Sequence, residues 1–474
     1  MGRAEEAALS TATVLSSPVA EIPKIVASLR GAFDAGRTRP LAWRAGQLAG
    51  IRRMLEEKEE AFLDALQADL GKPNVEAFAA EIAFTRAEVR LTERSLRSWT
   101  SPRRVGSPLF VMPARSSIVQ EPLGVVLVIG PWNYPLQLVL APLVGAVAAG
   151  NCAVLKPSEL AVATSNALAR YLPLYVDPDC VRVVEGAVPE TTALLEQRFD
   201  HIFYTGNGAV GRIVMTAAAR HLTPVTLELG GKSPCIVDRD VDLDVAVRRI
   251  AWGKFYNAGQ TCVAPDYVLV HHDVHDRFLD ALVGTIRRFY GDEPKASPDY
   301  ARIVNVRHHR RLSRLLDSGR IVLGGETDEA SRYIAPTVQR EVPLDSPVMS
   351  EEIFGPILPV LPVGSVDDAI RFVNAREKPL ALYVFSSRPE AQQRVISRTS
   401  SGGAAINHVW LHLAVPGLPF GGVGESGMGA YHGRHTFQTF SHQKAVLAKP
   451  TWSDPSFQYP PYTAWAKRLF RWLL

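Results

Sequence analysis

Cysteine is scarce in this chain of 474 residues: Cys152, Cys180, Cys235 and Cys262 lie far apart, with no CxxC pair among them. A disulfide framework or a thiolate zinc site is therefore not expected, and a reducing cytoplasm suits the chain better. An excess of one charge is missing too, since 52 Lys and Arg face 48 Asp and Glu. So small a surplus makes no phosphate-tracking surface, and nucleic acid is not expected as a partner. A secretory leader is not expected either, because Glu5 and Glu6 stand where cations belong and no continuous apolar core follows. The first twenty or so residues read as a loose arm. Wholesale disorder is excluded by a hydrophobic share of 47% against 21% charged.

Charge vanishes altogether between Leu123 and Leu155, a run long enough to suggest a membrane span. Pro131, Asn133, Pro135 and Pro142 interrupt it. The pattern instead predicts a strand at Val125 to Ile129, a loop, a helix from about Leu136 to Ala149 and a strand at Ala153 to Leu155, which is a buried βαβ unit. Upstream, apolar residues recur at helical spacing through Ile22 to Phe33, Leu41 to Leu70 and Val75 to Leu96, with Gly71, Lys72 and Pro73 as a stop signal. Ser101 to Gln120, rich in Pro, Ser and Arg, reads as a linker or an excursion strand. Downstream, strand-like His201 to Tyr204 and Val225 to Leu229 flank a helical Val210 to Arg220, the alternation of a doubly wound parallel sheet. A second series follows Cys262, with strands at Tyr267 to Val270, Ile357 to Val363 and Leu380 to Phe385 and a capping box at Ser365 and Asp368. One core does not serve a chain of this length, so the fold class expected is α/β with two doubly wound domains.

Several loops carry chemistry-bearing residues. Gly206, Asn207, Gly208, Ala209, Val210 and Gly211 follow a strand and open a helix, where backbone N–H groups can receive a pyrophosphate; such glycines also serve merely to tighten a turn. Glu228 lies where the ordinary dinucleotide fingerprint puts its ribose-binding acid, which makes it a ribose ligand or a base. Two βα units precede this glycine loop, however, and Lys156 with Glu159 offers a better ribose clamp, unless that pair is only a solvated turn. Asn133 either caps the following helix or donates its amide to a developing oxyanion. Ser350 to Pro356 sets the paired acids Glu351 and Glu352 beside Phe354 and a Gly-Pro turn, as in a shaped pocket wall. Cys262 ends a run of small and amide residues; a lone thiol is a small buried hydrophobe or a nucleophile. A thiol and a carboxylate together can make and then hydrolyse a thioester.

Taken together, PWNYP, KPSE, LELGGKSP, FYNAGQTC, EEIFGP and LPFGGVGESGMGAYHG resemble the aldehyde dehydrogenase superfamily, and in particular its class 3 branch, which includes the fatty aldehyde dehydrogenases. The resemblance runs from about Pro23 to Tyr462. It implies an NAD(P)-binding domain at 1–105 and 121–229 with the N-terminal helices, a catalytic domain at 230–415, and a bridging or oligomerisation segment with the C-terminal tail at 106–120 and 416–474. It further implies a homodimer that oxidises medium- to long-chain aliphatic or aromatic aldehydes to acids. By the same resemblance Cys262 is the nucleophile, Glu228 the base, and Asn133 with the Cys262 backbone N–H the oxyanion hole. Lys156 and Glu159 match adenosine-ribose ligands, Gly206 to Gly211 the glycine loop, and Glu352 and Phe354 the nicotinamide-ribose and nicotinamide contacts. No metal is implied. Gly208 departs from the family, which usually has Ser or Thr there, yet backbone phosphate contacts survive that change.

A carboxylate at Glu159 disfavours a 2'-phosphate and so favours NAD, although the branch also accepts NADP. Two other classes share features of the chain: a thiol hydrolase or acyltransferase, which usually pairs Cys with His, and a non-catalytic protein that keeps only the fold. His308, His309, His408, His412 and His432 lack metal-ligand spacing and read as ordinary surface or core residues. Trp410, Leu411 and Leu418 are candidate lining for an apolar tunnel. In the tail, helical spacing groups Trp465, Leu469 and Trp472, with Lys467, Arg468 and Arg471 towards the sides. Too short to span a bilayer, this helix either lies on an anionic membrane surface or docks on its own or a partner subunit.

Overall fold

A computed structural model describes residues 16–473. Residues 1–15 of the expected loose arm lie outside the described residues, and its described end is docked: Ser17 exchanges hydrogen bonds of 3.0 and 3.1 Å with the backbone of Glu185. Helices Ile22–Asp34, Leu41–Glu57 and Glu59–Leu70 follow. The predicted stretch from Leu41 to Leu70 is broken at Lys58, whose backbone (φ −116°, ψ 20°) leaves the helical region. Gly71 ends the run at φ +58°, the left-handed conformation that glycine adopts without steric cost. Asn74–Ala77, a π turn at Phe78–Ala83 and Phe84–Thr100 then form one continuous helical segment.

The first sheet contains strands in the spatial order Val181–Val183, Cys152–Lys156, Val125–Ile129, His201–Thr205, Val225–Glu228 and Gly427–Met428. All pair in parallel except the last. Val125–Ile129 and Cys152–Lys156 are buried at every residue, as expected of strands covered on both faces. Strand order reverses between Val125–Ile129 and His201–Thr205, so a crevice opens outside the carboxyl ends of these two strands. Ile129 pairs with both Tyr204 and Lys156, and Thr205 with Glu228, which brings the loops after residues 129, 156, 205 and 228 to one edge. Three βα units, not two, precede the strand that leads into the glycine loop, because Val181–Val183 is too short for its periodicity to register. The uncharged segment folds as expected, its helix Gln137–Ala149 wholly buried. Among the described residues no helix is long and apolar enough to cross a membrane.

A second sheet runs Arg320–Leu323, Thr337–Arg340, Ile357–Val363, Tyr267–His271, Pro234–Val237, Ala381–Phe385 and Gly403–Ile406. It begins at Pro234, before Cys262 and not after it, since four apolar residues behind a Gly-Gly turn give too little alternation to read. Ser365 caps helix Val366–Asn374 as expected, accepting from the Asp368 N–H. In the third sheet Arg115–Pro122 lies between Arg103–Val105 and Ser441–Ala448, all antiparallel. The stretch Ser101 to Gln120 thus carries strands.

Candidate active site

Cys262 is presented by a loop that only small and amide residues can form. Helix Leu243–Phe255 runs into a turn where Asn257, Ala258 and Gly259 take φ of 52°, 51° and 74°. Left-handed backbone costs a non-glycine residue about 1 kcal/mol or more, so the surroundings must hold it. They do so through amides. Asn257 N–H donates to Glu76 Oε2 (2.8 Å), Gln260 Nε2 to the carbonyls of Asn257 and Arg302 (3.0 and 2.9 Å), and Val304 N–H to Gln260 Oε1 (3.0 Å). At Gly259 a Cβ would stand 2.2 Å from the Gly355 carbonyl oxygen, which leaves glycine as the residue that fits. Cys262 is half-buried, while the other three cysteines are buried.

Asn133 meets this loop from the first sheet. Its Nδ2 donates to the Gln260 carbonyl (3.0 Å), which leaves one amide hydrogen for another acceptor. The helix-cap alternative fails, because Gln137–Ala149 has no side-chain cap from its own chain neighbours and Asn133 lies outside its first turn. Instead the N–H groups of Leu136 and Gln137 reach Glu81 Oε2 (2.9 and 3.2 Å). Glu81 is fully buried against Lys72, whose Nζ also donates to the Asn133 carbonyl (2.9 Å). The sequence marks neither residue as functional: Lys72 reads as part of a stop signal, and nothing local marks Glu81 as a cap for a helix 55 positions later.

Glu228 ends strand Val225–Glu228, only 3% exposed, and neither carboxylate oxygen has a hydrogen-bond partner. Burial therefore pushes its carboxyl well above the ordinary range. The Cys262 thiol is pushed up to about 12, by burial first and then by the negative charges of Glu352 and Glu228. Glu352 is pushed up to about 8, again by burial first and then by Asp266. Its carboxylate lies across Gly230, where a Cβ would come within 2.1 Å of Oε2. Its neighbour Glu351 instead pairs with Arg311 at the surface (3.1 Å). Phe354, at φ +49°, meets Trp132 edge-on with centroids 5.3 Å apart, and Trp132 in turn contacts His308 (5.1 Å).

One cavity of about 920 Å³ collects these groups. Cys262, Glu228, Asn133, Lys156, Glu159, Gly206, Asn207, Val210, Glu352 and Phe354 all line it, whereas Gly208, Ala209 and Gly211 do not. Gly211 is buried beneath, where a Cβ would press on Leu229 at 3.0 Å, so it serves the packing of helix Gly208–Ala219 on the sheet. Asn207 caps that helix, its side chain accepting from Val210 N–H (3.0 Å). Lys156 is buried, its Nζ donating to the Pro157 carbonyl (2.7 Å) and standing 3.7 Å from Glu159; burial lowers its pKa before Glu159 raises it. Thr205 Oγ1 is buried without a partner at the same edge. A charged clamp at a strand end, a helix N-terminus and unpartnered oxygens together fit a dinucleotide lying along the switch point.

Apolar side chains line part of the cavity. Trp410 and Leu411 line it as expected, joined by Phe84, Trp252 and Leu413, which no motif marks; Leu418 is not among the lining residues. Trp252 stacks on Trp410 at 4.4 Å. His308 and His432 also line the cavity, and neither belongs to the cluster His271, His272 and Asp273, which is the group of potential metal ligands found among the described residues.

Comparison with known proteins agrees with this architecture. The aldehyde dehydrogenase family model matches residues 7–446. Aldehyde dehydrogenase family 3 member A2 of Mus musculus is 53% identical over 448 residues, covering 93% of each chain. Family 3 member B1 of Homo sapiens is 53% identical over 435 residues, 91% of this chain and 93% of that one. The substrate-bound state of Staphylococcus aureus AldH superposes with a TM-score of 0.94 at 46% identity, covering 96% of this chain and 99% of that one. With this match, its two largely parallel sheets, its glycine loop and its cavity-lining thiol, the chain belongs to the aldehyde dehydrogenase family.

Proposed function

We propose that this enzyme oxidises medium- to long-chain aliphatic or aromatic aldehydes, with NAD as its preferred cofactor, Cys262 as nucleophile, Glu228 as base and Asn133 as oxyanion donor. One observation carries the assignment: Cys262 and the unpartnered carboxyl of Glu228 line the same cavity, which also takes in the glycine loop. The Cys262 thiolate attacks the carbonyl carbon, forming a C–S bond and a tetrahedral oxyanion. Asn133 Nδ2, with one hydrogen spare, and the Cys262 backbone N–H donate to that oxyanion. A bound nicotinamide would supply the hydride acceptor that turns this adduct into a thioester, and Glu352, Phe354, Lys156, Glu159 and the 206–211 loop are the residues that would hold the dinucleotide. Glu228 then takes a proton from water, whose oxygen attacks the thioester carbon; the C–S bond breaks, and acid and thiolate part. Its raised pKa makes the ionised carboxylate a strong base for that step.

The aromatic and aliphatic lining of the cavity supports an apolar substrate. Partial exposure of Glu159 beside Lys156 supports NAD over NADP, because its charge opposes a 2'-phosphate. An aldehyde panel graded by length, with aromatic members and both cofactors side by side, tests both readings. A preference for short polar aldehydes overturns the first and a strong NADP preference the second.

A homodimer is supported by the third sheet: Ser441–Ala448 pairs along one side only, with Leu447, Leu109 and Met112 exposed nearby in sequence or on the same segments. Membrane contact by a cytoplasmic protein is supported by helix Ala464–Leu473, which buries Ala466 and leaves Trp465 and Trp472 exposed among Lys467, Arg468 and Arg471. Unchanged flotation with anionic liposomes after deletion beyond Tyr462 overturns the membrane reading.

A further inference from the structure

The Lys72–Glu81 ion pair is the most completely enclosed charge pair among the described residues, with both side chains at 0% exposure. Such a pair is expensive to bury, and an apolar pair of similar volume would usually stabilise a core as well or better. Its contacts converge on one short segment. Lys72 Nζ donates to the Asn133 carbonyl (2.9 Å) and sits 4.2 Å from the centroid of the Tyr134 ring. Glu81 Oε2 accepts from Leu136 and Gln137. Residues 133 to 137 are thereby gripped along their backbone from the N-terminal helices, at a π turn that widens the helix where Glu81 projects. From the opposite side Asn257 Nδ2 donates to the same Asn133 carbonyl (3.0 Å), and Tyr134 Oη bonds Thr261 Oγ1 (2.7 Å). The peptide of Asn133 is thus pinned between the helical layer and the cysteine loop.

We infer that Lys72 and Glu81 are positioning residues for oxidation: they hold the Asn133 backbone so that its spare amide hydrogen faces the oxygen of the carbonyl attacked by Cys262. This rests on the reading of Asn133 as oxyanion donor. An amide displaced by even a fraction of an ångström donates poorly to an oxyanion while still permitting the cofactor to bind, because Asn133 makes no part of the dinucleotide clamp.

The test is a double-mutant cycle read in the pre-steady-state burst of reduced cofactor. Asn133→Ala should slow the burst by about 100-fold, the usual cost of removing one oxyanion donor. Lys72→Met should slow it by about tenfold or more with the KM for cofactor unchanged, and should cost little further when Asn133 is already Ala. Glu81→Gln keeps shape and acceptor but loses the charge, and serves if Lys72→Met does not fold; a smaller loss in the same step is expected. A normal burst in Asn133→Ala overturns the oxyanion reading. A slow burst in Asn133→Ala with full additivity of Lys72→Met or Glu81→Gln, or with neither variant slowed, overturns the clamp alone.

Discussion

Glu228 and Cys262 share a cavity in which the acid has no hydrogen-bond partner and the thiol is only half-buried. Burial raises the pKa of both groups, and the negative charge of Glu228 raises that of the thiol further.

Replacing Glu228 with Gln should leave one burst of reduced cofactor and cut steady turnover by about 10² to 10⁴-fold, the range of a general base. The sign of the pH effect follows from the raised carboxyl: the base becomes available as pH rises, so wild-type deacylation should climb with pH and the Gln variant should lose that limb. Stopped-flow traces across pH check both. A variant with normal turnover but a raised KM for cofactor makes Glu228 a ribose ligand instead.

Native alkylation should label Cys262 first, because Cys152, Cys180 and Cys235 are buried. With the thiol pushed up to about 12, labelling by iodoacetamide should accelerate steadily with pH and show no plateau near neutrality. Peptide mass spectrometry after short exposures reads this directly. Cys262→Ala should bind cofactor yet form no reduced cofactor with any aldehyde.

Glu352 makes a linkage prediction. Its folded-state pKa is raised to about 8, above the ordinary glutamate value of about 4.3. The stability it contributes is therefore present below pH about 4 and is lost as pH rises through about 8. Glu352→Gln should match wild type in thermal midpoint at low pH and exceed it at pH 9, while weakening cofactor binding at both. A lower midpoint at pH 9 than at pH 5, relative to wild type, is the contrary result.

Gly259→Ala should be among the most damaging single changes, since φ is +74° and the new Cβ meets the Gly355 carbonyl at 2.2 Å. A loss of about 3 kcal/mol or more is expected. Denaturant melts measure it, and faster alkylation of Cys262 should accompany the loosened loop.

Much of this site was legible because its residues lie in short, local constellations. Glycine loops and strand-end charges write themselves in consecutive positions, so Gly206 to Gly211, Lys156 and Glu159 could be located before any coordinates. Cys262 could be singled out because the turn before it tolerates so few residue types. The partners that hold these groups could not. Glu76, Glu81 and Lys72 act across distances of up to about 180 residues, and nothing in their own neighbourhoods distinguishes them from ordinary helix or loop residues. Asn133 shows the limit most clearly: before a helix its local pattern reads as a cap, and only the approach of Glu81 from another helix takes over that task and releases the amide.

Sequence alone determined the element types, because hydrophobic period and turn residues act through backbone sterics over a few positions. It likewise determined the chemical types in the site, a thiol, an acid and an amide. Tertiary structure decided their charge states and aim. Burial sets the pKa of Glu228 and Cys262, and desolvation depends on what surrounds a group in three dimensions, from segments that the chain order keeps far apart.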